Sequence, residues 1–415
     1  MKHQTKPLLL VACIFLFVGA LVCMNDILLP SLKTLFRLSY TESTRVQQSF
    51  YIVHLFSPIP IAFLIAKWGY RISLIIALLI CTVGCALFLP AYLMSSFFLA
   101  LVALFIVALG IALVNVAANP LAAMLGDPEG AHARVNLVQV FSRIGFALTP
   151  VAATAMIYGS GQQIRFHLPY VWICLGTGLM ALLVHFSGLT SLKPAVEEGF
   201  TFRKILAGAR MRPRLFWGAI AMFFYIGADA CTAGFFINYL TDRATVGYSA
   251  EKAGRFLTYY YVVTTIVGFA GIYLFRFFKA GRLVAIFATG MVLMLLVCAF
   301  TRSEFNPYAM VSLGAFISIL FPTIFSLGIE GLGDFTEKGS ALINIAIVGG
   351  AFFPPLQGLV ADGFGVQVSY VVPALCFICI VAYGIYCSKG PGYVPPPAHE
   401  DPLPPANAEH TTVPT

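Results

Sequence analysis

The sequence predicts an all-α membrane protein with twelve transmembrane helices arranged as two six-helix repeats. Three observations lead there: a composition too apolar for water, apolar runs of bilayer-crossing length, and glycine/proline pairs that recur between the first and second half. Of the 415 residues, 60% are hydrophobic and only 10% charged, and the mean hydropathy is +0.89. Such a chain keeps most of its surface in lipid.

A hydrocarbon core of roughly 30 Å takes about 20 helical residues to cross. Runs of that length are expected at 7–32, 45–66, 72–93, 97–124, 136–159, 168–189, 214–241, 252–276, 282–300, 307–330, 340–362 and 367–388. They are too long and too uniformly apolar for barrel strands, and a helix satisfies its own backbone inside lipid. The first run is not expected to be a cleaved signal, being too long and lacking a small-residue cleavage site. With the N-terminus inside, cytoplasmic segments hold 16 of the 25 Lys and Arg residues, outer loops hold eight, and one, Arg143, falls within a helix. This bias places both termini in the cytoplasm.

The net charge of +8 sits mainly at helix ends on one side, where anionic lipid headgroups attract it, so no nucleic-acid partner is expected. The ten cysteines lie almost wholly within spans, and Cys376 and Cys379, despite their CxxC spacing, read as small apolar side chains and not as a metal or redox site. No GxxxxGK[ST] loop or soluble domain is present to hold a nucleotide. Enzyme chemistry is not implied.

Residues 190–213 form the longest inner loop and divide an N-terminal half, 1–189, from a C-terminal half, 214–388. Within the loop, FTFRKILAGAR has the pattern of an amphipathic surface helix, with Phe202, Ile205 and Leu206 toward lipid. The segment 389–415 holds eight prolines and no apolar periodicity, the composition of a disordered cytoplasmic tail. Between the halves, Pro120 and Gly126 match Pro322 and Gly328 at an offset of 202, and Gly145 and Pro150 match Gly349 and Pro354 at 204. An intermediate offset carries Asp26 onto Asp229. Parallel repeats of this kind place a substrate between the halves, and the paired glycines and prolines suit helices that pack closely, bend and rock.

Asp26, in CMNDILLP, follows a run from Pro7 to Met24 without any charge. A charge in hydrocarbon costs at least about 2.5 kcal/mol, so an intramembrane acid normally faces a wet cavity and has a function. Asp26 lies roughly 27 Å along the first helix and Asp229 about 22 Å along the seventh, both in the outer half. Asp26 then either meets water at a helix end or is desolvated within a helix that continues past Pro30. Burial disfavours the charged form of a carboxylate, which is the chemistry that proton coupling needs. Arg143 either snorkels toward phosphate, or pairs with Asp127 or Glu129, or lines the cavity and meets a carboxylate or an anionic substrate group. Asn115, Asn119 and Gln139 offer amides suited to hydroxyls, and Tyr225 and Tyr51 offer rings for a sugar. His54 reads as a packed neutral side chain.

These residues carry a family resemblance. NDILLP at 25–30, PIP at 58–60, AANP at 117–120 with LG at 125–126, NLVQVFS at 136–142, PTIFSLGI at 322–329 and PALCF at 373–377 are similar to stretches of the fucose/galactose/glucose branch of the major facilitator superfamily, the fucose:proton symporter family. The resemblance implies a hexose:proton symporter of a bacterial inner membrane, working by alternating access without a cofactor on the proton gradient, with sugar, proton and lipid as partners and a monomeric state. It places Asp26 where the family has an acid for sugar binding and proton coupling, with Asp229 as a second coupling candidate. Asn115 stands where fucose transporters have glutamate and glucose/galactose transporters glutamine. Asp229 stands where the glucose/galactose branch has glutamate, and Arg143 replaces a small residue. The shorter polar side chains imply a bulkier or substituted hexose, and Arg143 an acidic one. The alternatives are a passive sugar uniporter and a membrane sugar sensor without flux.

Overall fold

In a computed structural model the chain is helical throughout its described residues, which are 5–125, 131–159, 164–187, 208–275 and 277–389. Asp127, Glu129, Phe202, Ile205 and Leu206 lie outside them. Among the described residues ten helices are long and apolar enough to cross a membrane. The other two expected spans are the second, which is broken, and the eighth, Ala250–Leu274. The twelve spans make two six-helix repeats.

Breaks in several spans have local causes. The second span is not one helix at 45–66: it is assembled from Arg45–Tyr51, Val53–Phe56 and the beginning of Pro58–Ala86, which turns into the third span at Gly69, where φ is 77°. Pro58 and Pro60 have no N–H to give the carbonyls of His54 and Phe56, so a continuous ladder cannot form there. The tenth span divides into Asn306–Ile317 and Leu320–Ile329, at the carbonyl that Pro322 leaves without a donor. The seventh divides into Pro213–Gly234 and Phe236–Thr241, and the eleventh into Thr336–Ile345, a 3₁₀ turn at Ala346–Val348, and Gly349–Phe364. The first span, by contrast, runs unbroken from Thr5 to Phe36 through Pro30.

Helices pack by close backbone approach at glycine, as expected where lipid supplies no hydrophobic drive between them. In one repeat the first span meets the fifth (Ala131–Tyr158): a methyl on Gly145 would strike the Leu16 carbonyl, and one on Gly19 the Ser142 carbonyl. In the other repeat the seventh span meets the eleventh: a methyl on Gly349 would strike the Phe223 carbonyl, and one on Gly227 the Phe353 ring. Gly145 and Gly349 are the two glycines paired by the sequence repeat. Their mates Pro150 and Pro354 lie inside the same helices.

Between the halves, the second span packs on the eleventh and the fifth on the eighth. At the end of the bundle away from the chain termini a compact latch joins them. Asp362, near the end of the eleventh span, accepts hydrogen bonds from the backbone N–H groups of Tyr40 (2.7 Å) and Thr41 (2.9 Å), while Gly358 lies against the Thr41 main chain. The Tyr40 hydroxyl donates to Asp242 at 3.3 Å, and the Tyr40 ring stacks on Phe235 beneath the Lys33 ammonium. This end is closed.

Because Gly145 touches backbone, Gly145→Val is expected to cost roughly 1–3 kcal/mol through overpacking. Thermal unfolding in detergent should show a lowered midpoint for it and an unchanged one for Gly363→Ala, whose added methyl meets nothing within 4 Å. Equal midpoints for both variants would contradict this packing.

Candidate functional site at the seam between the halves

Asp26 sits ten residues before the end of its helix and is 5% exposed. It is therefore not a helix-end acid in water. Its two oxygens are held from different helices: the Tyr261 hydroxyl of the eighth span donates at 2.8 Å, and the Gln47 amide of the second span at 3.2 Å. Gln47 in turn accepts from the Asn25 amide, and the fully buried Asn25 keeps one oxygen without a partner among the described residues. Gly234 of the seventh span makes room for Gln47, since a side chain there would strike its amide nitrogen. One carboxylate thus ties the first, second and eighth spans together across the seam.

Asp229 lies in the seventh span, half-buried, and accepts no hydrogen bond among the described residues. It is within electrostatic reach of Asp26. Four tyrosines surround the pair. Tyr51, Tyr260 and Tyr261 are each close enough to feel both carboxylates, and Tyr225 borders Asp229. Tyr51 reaches across the seam onto Gly350, whose missing side chain lets the ring lie flat on the eleventh span. Tyr225 is packed against Phe321 and Phe377, with ring centroids 6.1 and 6.4 Å away.

Arg143 is half-buried in the fifth span and reaches the eighth, where its guanidinium lies against Gly268. Tyr225 is within its electrostatic reach. The side chain therefore stands at the seam within reach of Tyr225, and no carboxylate pairs with it among the described residues. The described ion pair is elsewhere, between Arg214 and Glu330 at 3.0 Å.

The expected amides are placed less closely. Asn115 and Gln139 are half-buried on the fourth (Phe97–Met124) and fifth spans, and each already has a partner. Asn119 belongs to the fourth helix, with its side chain outside the described ones. His54 stands with its Nδ1 3.3 Å from the Tyr51 carbonyl, beside the Tyr51 ring. A groove of about 390 Å³ between the second and eleventh spans contains neither carboxylate, and with Phe352 54% exposed on its wall it opens toward lipid.

Four members of the site are not among the sequence candidates: Asn25, Gln47, Tyr260 and Tyr261. The run TYYY at 258–261 was the available signal, four hydroxyls in succession within an apolar span. Removing one of them gives a direct test. Tyr261→Phe deletes a hydrogen bond across the seam worth roughly 1–3 kcal/mol, and so should shift the molecule toward opening at the latched end by about 5- to 100-fold. Spin labels at Ser95 and Arg302 should then show a new long-distance population. An unchanged distribution would contradict the tie.

Residues 8–348 match the model of the Major Facilitator Superfamily. The glucose/galactose transporter of Brucella abortus biovar 1 (strain 9-941) is 32% identical over 397 residues, covering 94% of this chain and 95% of the relative. The L-fucose-proton symporter of Escherichia coli (strain K12) is 30% identical over 409 residues, covering 92% and 93%. A crystal structure of a Major Facilitator Superfamily transporter, FucP, in the outward conformation superposes with a TM-score of 0.68 at 30% identity, covering 94% of this chain and all (100%) of the other. The chain belongs to the Major Facilitator Superfamily, in the group that holds the glucose/galactose and fucose-proton transporters.

Proposed function

We propose that this protein is a sugar:proton symporter that moves a hexose by alternating access between its two repeats. The observation that carries the reading is Asp26, a carboxylate buried at the seam and hydrogen-bonded from both halves. A group whose proton content alters its hydrogen bonds to two bodies biases how those bodies sit together, which is what coupling requires. Asp229, with its acceptor capacity unspent, is the sugar hydroxyl acceptor and the second coupling candidate. Asn115, Asn119, Gln139, Arg143 and Tyr225 complete the binding residues. The proton gradient supplies the energy and no cofactor takes part. The protein works as a monomer in the bacterial inner membrane, with the latched end outside and both termini in the cytoplasm, in keeping with the bias of Lys and Arg.

One residue favours a second reading. Asn115 cannot titrate where fucose transporters carry an acid, so sugar movement without proton coupling is the rival. Uptake of radiolabelled hexoses into proteoliposomes, with and without an imposed inward proton gradient, separates the two. Accumulation above equilibrium only with the gradient is expected. Mere equilibration would make the protein a uniporter, and absence of flux for every hexose would leave the sensor. In the same assay Asp229→Asn should raise the half-saturating sugar concentration about tenfold or more, the value of a hydrogen bond to a charged group. An unchanged value would remove Asp229 from the sugar site.

A further inference from the structure

The seam holds a cation, Arg143, whose charge the proton and a neutral sugar do not answer. Arg143 is carried into the membrane interior by the fifth span, and the eighth span makes a seat for it: any side chain at 268 would collide with the guanidinium, and glycine is there. Among the described residues no carboxylate answers its charge, and the group within its electrostatic reach is Tyr225, which also borders Asp229. Leaving a guanidinium without an anion inside a membrane protein is costly, and such residues mark a substrate or ion path.

Two groups of different chemistry lie within reach of Tyr225. Arg143 presents a planar fork of donors that fits a carboxylate by two parallel hydrogen bonds. Asp229 presents acceptor oxygens, which fit sugar hydroxyls. A dianionic phosphate would meet Asp26 and Asp229 with only one positive charge in compensation, whereas a carboxylate brings one negative charge to one positive. Resting on the sugar-transport reading above, we propose that the substrate is an acidic monosaccharide of the hexuronate class, with its carboxylate bound by Arg143 and its hydroxyls turned toward Asp229.

The test uses wild-type protein in proteoliposomes and direct uptake of radiolabelled D-glucuronate, D-galacturonate, D-glucose and D-galactose, with D-glucuronamide as a competitor of the same shape without the charge. The uronates are expected to half-saturate transport at concentrations roughly thirtyfold or more below those of the neutral sugars and the amide, a difference set by a buried charge pair. Arg143→Ser should abolish that preference and Arg143→Lys should retain part of it. If glucose, galactose or the amide binds as well as the uronates in the wild type, the acidic-sugar inference is overturned while sugar transport stands. If none of these sugars is bound or carried, the sugar-transport reading falls with it.

Discussion

The constraint on which this molecule turns is the burial of a carboxylate at the seam of two moving bodies. Asp26 is 5% exposed inside a lipid-embedded bundle, and its charge is tolerable only because donors converge on it. Those donors come from different places: Gln47 belongs to the same repeat, Tyr261 to the other. Any motion that separates the repeats therefore changes the solvation of this one group. Conversely, any change in its proton content changes the cost of bringing the repeats together.

The rest of the architecture serves that dependence. Glycines at 19, 145 and 349 bind each repeat internally by backbone contact, and Gly227 by contact with the Phe353 ring, so that each can move as a packed unit. Interruptions in the second, seventh and eleventh spans fall next to the seam and another divides the tenth, and prolines at 58, 60 and 322 remove donors whose loss causes some of them. At the far end Asp362 clasps two backbone N–H groups of the opposite repeat. That contact is exposed and made of single hydrogen bonds, of a kind that can be broken and remade in each cycle.

Much of this could be read from the residues alone, for reasons that lie in lipid. A helix that crosses hydrocarbon must spend about 20 apolar residues doing so, which marks each span, and an acid inside such a run has few innocent explanations, which marks Asp26 and Asp229. The Gly145 and Gly349 repeat was visible because close helix approach tolerates almost nothing else. The partners of the acids were hidden. A tyrosine in an apolar span is ordinary as core or as interfacial belt, so the TYYY run that holds Tyr260 and Tyr261 took on meaning only once the eighth span was seen against the first. Gln47 was obscure because the second span is in pieces, and the Asp362 latch because its partners are more than 300 residues away in sequence. Arg143 was conspicuous as an intramembrane cation, whereas its contact with Gly268 at the seam carries no mark in the sequence.

Proton coupling through Asp26 is the centre of the account, and Asp26→Asn tests it most directly, because the amide keeps the shape and cannot carry the proton. In proteoliposomes loaded with substrate, this variant should still exchange internal for external substrate at a measurable rate while an imposed proton gradient no longer drives accumulation. Accumulation that persists at the wild-type level in Asp26→Asn would contradict the account and move the coupling site elsewhere.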